Sequence, residues 1–237
     1  MKNRTSLVVA IALFTIIATS CTKECDCDCP QEKTLTTQPG PNDGQDCLVN
    51  YRTLDPQFAS TNQNINPDFG AWYWTFNAEG DGEGPGRTYI KFPELSQIPQ
   101  SATIVSAKLS LYGVSVGAAL PQGNSYYPGS GYNAFGDNKG WLKRVLANWD
   151  ETTITWNNMP ATTDAGQVEV PASTSQWNYT VTDLDVTQLV KEMVANNQNY
   201  GFTFQMQVEQ IYRSLIFGSS EIADATKRPK LVVVYTE

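Results

Sequence analysis

Residues 149–160, Trp-Asp-Glu-Thr-Thr-Ile-Thr-Trp-Asn-Asn-Met-Pro, constrain the fold more than any other stretch of this chain. Thr152, Ile154 and Trp156 alternate with Thr153 and Thr155, the period of two expected of a half-buried strand built from β-branched and aromatic residues. Pro160 has no N–H to give to a ladder and closes the segment. The same period recurs elsewhere. In residues 87–92, Ile90 and Phe92 are predicted to point inward, with Tyr89 and Lys91 outward. Val105, Ala107, Leu109 and Leu111 line one face of another strand, and Ser106, Lys108, Ser110 and Tyr112 the other. Phe202, Phe204, Met206 and Val208 share a face opposite Thr203, Gln205 and Gln207, and residues 231–235 supply a last strand. Short strands with one apolar face, separated by Gly- and Pro-rich turns, pack as an antiparallel β-sandwich. One helix interrupts them: Asp185 stands where a cap is needed, and Val186, Leu189, Val190, Met193 and Val194 form one apolar stripe at helical spacing.

With 237 residues the chain can bury one good core. Its formal net charge of -8 disfavours a nucleic-acid partner, which would need a basic face. It contains no histidine, which removes the commonest general base, the usual hydrolase triads and most catalytic zinc sites.

The amino end reads as an export signal. Lys2 and Arg4 precede an apolar run over residues 7–18, then Thr19, Ser20 and Cys21, with too few apolar residues for a convincing membrane span. A cysteine directly after small residues resembles a bacterial lipoprotein signal, which implies cleavage of residues 1–20 and a lipid anchor on Cys21. Lys23 and Glu24, with Asp26 and Asp28 behind them, resemble the export tag of Bacteroidetes surface lipoproteins, implying display on the outer face of the outer membrane. Cleavage would remove Lys2 and Arg4 and no acid, leaving 14 basic against 24 acidic side chains. Residues 21–46 are polar, acidic and aperiodic, the composition of a disordered tether. Cys25, Cys27 and Cys29 alternate there with acids and, with Cys47, allow disulfides or a soft metal ion, with no pairing readable. Residues 47–237 are expected to form one all-β domain.

Four blocks of that domain together resemble the DNRLRE domain, also described as disaggregatase-related and classed as carbohydrate-binding module family 96. They are Arg-Thr-Tyr-Ile-Lys-Phe at 87–92 with 104–112 behind it; residues 149–160; Val-Thr-Gln-Leu-Val at 186–190 leading to Tyr200, Gly201 and Phe202; and Phe-Gly-Ser-Ser-Glu at 217–221 before Arg-Pro-Lys-Leu-Val at 228–232. The resemblance implies a jelly-roll-like β-sandwich in a secreted bacterial protein, with binding of polysaccharides such as alginate. It also implies that Trp149 and Trp156 are structural. Arg87 reads as a packing or salt-bridge residue, and Ser219, Ser220 and Glu221 as partners of backbone groups. The loop at 117–140 is longer than the family's, and residues 55–70 match it only loosely.

Sugars offer apolar C–H faces and many hydroxyls, so a site wants exposed aromatic rings beside polar groups. Two stretches qualify. One is Trp72-Tyr73-Trp74, where alternation puts both tryptophans on one face, so either that pair or Tyr73 alone is exposed. The other is the long loop with Tyr126, Tyr127, Tyr132 and Phe135, followed by Lys139, Trp141, Lys143 and Arg144. Lys139, Lys143 and Arg144 would supply positive charge for an acidic glycan. Glu79, Asp81 and Glu83, at every second position of a glycine-rich loop, are spaced to share a calcium ion. Adjacent Asp150 and Glu151 would face opposite ways on a strand and could not flank one glycosidic bond. The expected function is therefore non-catalytic binding of an extracellular polysaccharide. The alternative is a structural or adhesive lipoprotein that docks a protein partner; a polysaccharide-degrading enzyme fits least.

Overall fold

The computed structural model describes residues 31–237. Among these residues, eleven strands form two antiparallel sheets. The smaller orders β1(Glu32–Thr37), β11(Lys230–Thr236), β5(Thr103–Leu111) and β8(Val181–Asp185). The larger runs β10(Arg213–Gly218), β3(Asp68–Thr75), β4(Glu83–Lys91), β9(Phe202–Met206), β6(Gly140–Val145), β7(Thr162–Val170), with β2(Gln45–Asn50) also paired to β4. All registers are antiparallel. The all-β antiparallel sandwich expected from the alternating segments is thus the fold.

The principal core lies between the sheets. Phe69, Ile90, Phe92, Phe202, Phe204 and Phe217 meet Ala107, Leu109, Leu111, Leu231 and Val233 there, and α1(Thr187–Ala195) closes it with its apolar stripe, all five of whose residues are buried. Asp185 works one position earlier than a helix cap, accepting from the N–H of Thr187 at 3.1 Å while pairing with Lys108 at 2.9 Å. No helix among the described residues is long and apolar enough to cross a membrane.

Several expectations change. Residues 152–156 are not a strand. Asp150 folds the chain back on itself: its carboxylate accepts from the N–H and hydroxyl of Thr152, and its carbonyl from the N–H of Thr153 and Ile154. A 3-10 turn, Trp156–Asn158, follows, with Asn158 accepting from the Thr155 N–H at 2.6 Å. Asp, Thr and Asn side chains here outcompete a ladder for the backbone. The alternation still has a use: Ile154 and Trp149 are buried with Cys47, Val49, Tyr89 and Val145 in a second core on the outer face of the larger sheet. That cover is also why Tyr89, although it points outward, is buried.

Val105 is exposed rather than inward because it is the extra residue of a bulge: Val234 pairs with Ser106 and Tyr235 with Ile104, which turns Ile104 inward instead. Val208 is exposed because β9 ends at Met206.

The stretch 21–46 is not wholly tether. β1 pairs along its length with β11, and a turn at 40–44, closed by Gly44 N–H to the Gly40 carbonyl at 2.7 Å, leads to β2. An edge strand draws its support from its neighbour's backbone and needs little apolar content; Leu35 alone packs against the core. Cys47 is a buried free thiol, pushed up to about 12 by burial. The signal peptide, the lipidation residue Cys21, and Cys25, Cys27 and Cys29 lie outside the described residues.

Candidate carbohydrate-binding face

The outer face of the larger sheet is covered at one end, by the core around Trp149 and Ile154, and open beside it. The loop at 113–139 folds onto the opposite face of β2 and β3, where Trp72, Trp74, Phe76 and Ile216 pack with Leu48, whose neighbours Cys47 and Val49 belong to the Trp149 core. That loop is firmly held. Ser125 and Ser214 exchange hydrogen bonds, Asn124 accepts from the Ile216 N–H at 2.8 Å, and the fully buried Asn138 donates to Ser173 Oγ and the Ser214 carbonyl while accepting from the Ser173 N–H. Tyr212, at a φ of 66° that bulky side chains rarely adopt, is gripped by Trp74, Tyr132 and Phe135, with ring centroids 5.4, 5.4 and 4.8 Å away.

Beside that cover, the strand registers set out a cross-strand row. Thr88 opposes Phe204, so the next outward position places Arg87 opposite Gln205. Gln205 opposes Trp141, and Trp141 opposes Glu169. Arg87 is fixed by a two-pronged pair to Glu209, at 2.7 and 2.9 Å, and its guanidinium lies 4.9 Å from the Trp156 ring. Tyr51 tilts against Trp156 at 6.2 Å. Tyr73 donates to Glu83 at 3.2 Å, and burial, then the Glu83 charge, raises its phenol. At the other end Gln207 donates to Glu169 at 3.1 Å, and Lys139 pairs with Glu169 at 3.1 Å. The lysine is raised by that partner, and Glu169 is held low by Gln207 and Lys139. Trp141 is half-buried and has no ring or cation partner among the described residues. The arrangement is a strip of half-exposed aromatic rings and fixed amide, carboxylate and guanidinium groups, the chemistry that grips sugar rings and their hydroxyls.

The residues chosen from sequence divide on this geometry. Tyr73, Lys139, Trp141 and Lys143 lie on the strip. Trp72 and Trp74 do not, being 1% and 2% exposed. The Trp72 ring crosses Gly86, where any Cβ would come within 2.2 Å of it, and Trp74 lies beneath Tyr132 and Tyr212. Tyr132 is therefore a cover residue rather than a free platform. Tyr126 and Tyr127 are half-buried in the same loop; their carbonyls accept from Ser173 Oγ and Asn133 Nδ2, and neither ring contacts Trp141. The calcium trio is not assembled. Asp81 is taken by Arg52, itself stacked between Phe58 and Phe76; Glu83 is taken by Tyr73; and Glu79 sits exposed on a turn. No acidic or cysteine cluster able to hold a metal ion occurs among the described residues. Tyr51 and Glu209 carry no signal in the sequence, and there Trp156 is expected to be structural only. Only the outward phase of Gln205 and Gln207 was there to find.

The model of carbohydrate-binding module family 96 matches residues 74–235, more than half of the chain. The chain belongs to that family. The match takes in β4 to β11 and most of the strip. Curated relatives are similar over part of their length only. The tRNA nuclease WapA of Bacillus subtilis (strain 168) and the tRNA(Glu)-specific nuclease WapA of Bacillus subtilis subsp. natto are each 30% identical over 155 residues. So is the tRNA3(Ser)-specific nuclease WapA of Bacillus spizizenii. The alignment takes in 65% of this chain and about 6% of each relative. Carbohydrate binding is the property by which that family is named.

Proposed function

We propose that this protein is a non-catalytic surface lipoprotein that holds an extracellular polysaccharide on the open strip of its larger sheet. The observation that carries the site is Trp141, a half-buried ring with no aromatic neighbour among the described residues, bordered by Gln205 and Glu169. Its surroundings are prearranged by ion pairs, so little ordering is left for binding to cost. The Arg87 fork engages both oxygens of Glu209, which supports a binding role for that carboxylate over a catalytic one. The lipid anchor on Cys21 and the outer-membrane location rest on the amino-terminal signal alone. The nuclease relatives lend no nucleic-acid role: their names describe proteins many times longer, and this chain is acidic.

Incubation of the full chain with candidate polysaccharides tests the non-catalytic claim: retention without new reducing ends or unsaturated sugars is expected, and release of either would contradict it. For the anchor, Cys21→Ser should move the protein from the membrane to the soluble fraction; an unchanged membrane fraction would refute it.

A further inference from the structure

The charges of the strip decide what kind of glycan it takes, given that the strip is the binding face. A polymer bearing uronates or sulfates needs cations free to meet them, and three of the strip's four cations are already matched by acids. Lys139 meets Glu169 at 3.1 Å, Lys143 meets Asp164 at 2.7 Å, and Arg87 gives two hydrogen bonds to Glu209. Arg213, at the strip's edge opposite Tyr73, spends its guanidinium on the carbonyls of Phe135 and Asp137 and on Gln210. An incoming carboxylate would have to displace a partner acid and would face Glu83, Glu169 and Glu209, on a chain already carrying a formal charge of -8. Calcium could bridge two anions, but no metal-holding cluster exists among the described residues.

What the strip does offer is suited to uncharged sugars. Trp141 presents a ring to a C–H face, and Gln205, Gln207 and Glu169 present amide and carboxylate groups to hydroxyls. From Arg87 on β4 across β9 to Trp141 on β6 is two strand spacings, roughly 10 Å, long enough for more than one sugar ring. We infer that the ligand is a neutral, linear polysaccharide laid across β4, β9 and β6, and that the paired carboxylates exclude anionic chains.

Affinity electrophoresis of the full chain against laminarin and xylan, and against alginate and pectin, each with calcium and with chelator, tests this. Retardation by a neutral polymer only, unchanged by chelator, is expected. Glu169→Gln, which frees Lys139, should then raise retention on alginate at least severalfold; should that variant fold poorly, Asp164→Asn frees Lys143 from an exposed partner to the same effect. Retardation by alginate or pectin in preference to the neutral polymers overturns the inference and leaves the binding function standing. No retardation in any gel overturns both.

Discussion

Trp141 and Trp74 are tryptophans of the same sheet with opposite tasks. Trp74 is shut beneath Tyr132 and Tyr212, and Trp74→Ala should cost about 3–5 kcal/mol of stability, read as a fall in the denaturant midpoint. Trp141 is half-exposed and supports nothing above it. Trp141→Ala should leave the midpoint nearly unchanged and weaken glycan binding about tenfold, or about 1.4 kcal/mol, by titration calorimetry. Asp46 is a third residue with a measurable consequence. It is buried, accepts from the Ser220 N–H at 2.7 Å, and donates its own N–H to Glu151 at 2.9 Å. Burial pushes its carboxyl from 3.8 up to about 7; Ser220 opposes the rise, and the charges of Glu151 and Glu221 add to it. Between those two values the folded protein holds a proton that the unfolded chain releases, so this group's contribution to stability falls as pH rises. Melting temperatures taken at about pH 5 and about pH 8 should show wild type losing more than Asp46→Asn over that interval. Equal losses would mean that Asp46 is not protonated in the fold.

At the scale of elements, the covers over the larger sheet depend on polar residues as much as on apolar ones. Asn138 ties the 113–139 loop to β10 and to Ser173. Asn138→Ala leaves the Ser214 carbonyl and the Ser173 N–H without this partner in a buried site and should cost about 1–3 kcal/mol. Hydrogen exchange should quicken first in that loop, with β5 and β11 unaffected. Elements of this kind are where sequence reading loses sight of the fold. The strands around Ile90, Leu109 and Phe204 were legible because period two follows directly from burial on one face. The segment at 152–156 has the same period and is a turn, because Asp150 and Asn158 bind its backbone locally. β1 was invisible for the opposite reason: an edge strand takes its order from β11, not from its own composition. The strip was half legible. Gln205 and Trp141 could be phased, but Tyr51, Trp156 and Glu209 arrive from loops and strand ends that only the tertiary fold brings to Arg87.

At the scale of the whole molecule, the smaller sheet and α1 seal one side of the larger sheet, and the Trp149 core covers part of its other side and leaves a strip open. This division gives a carbohydrate-binding module one prearranged face. Under the lipid anchor proposed for Cys21, the same body would hang from the membrane by its amino end, leaving that face free to meet polymer outside the cell. Titration calorimetry of laminarin or xylan into the full chain and into Trp141→Ala, with melting curves for both, tests the face most directly. Binding by wild type and at least tenfold weaker binding by an equally stable variant is the predicted result. Equal affinity in the two proteins would place the sugar elsewhere and contradict the account.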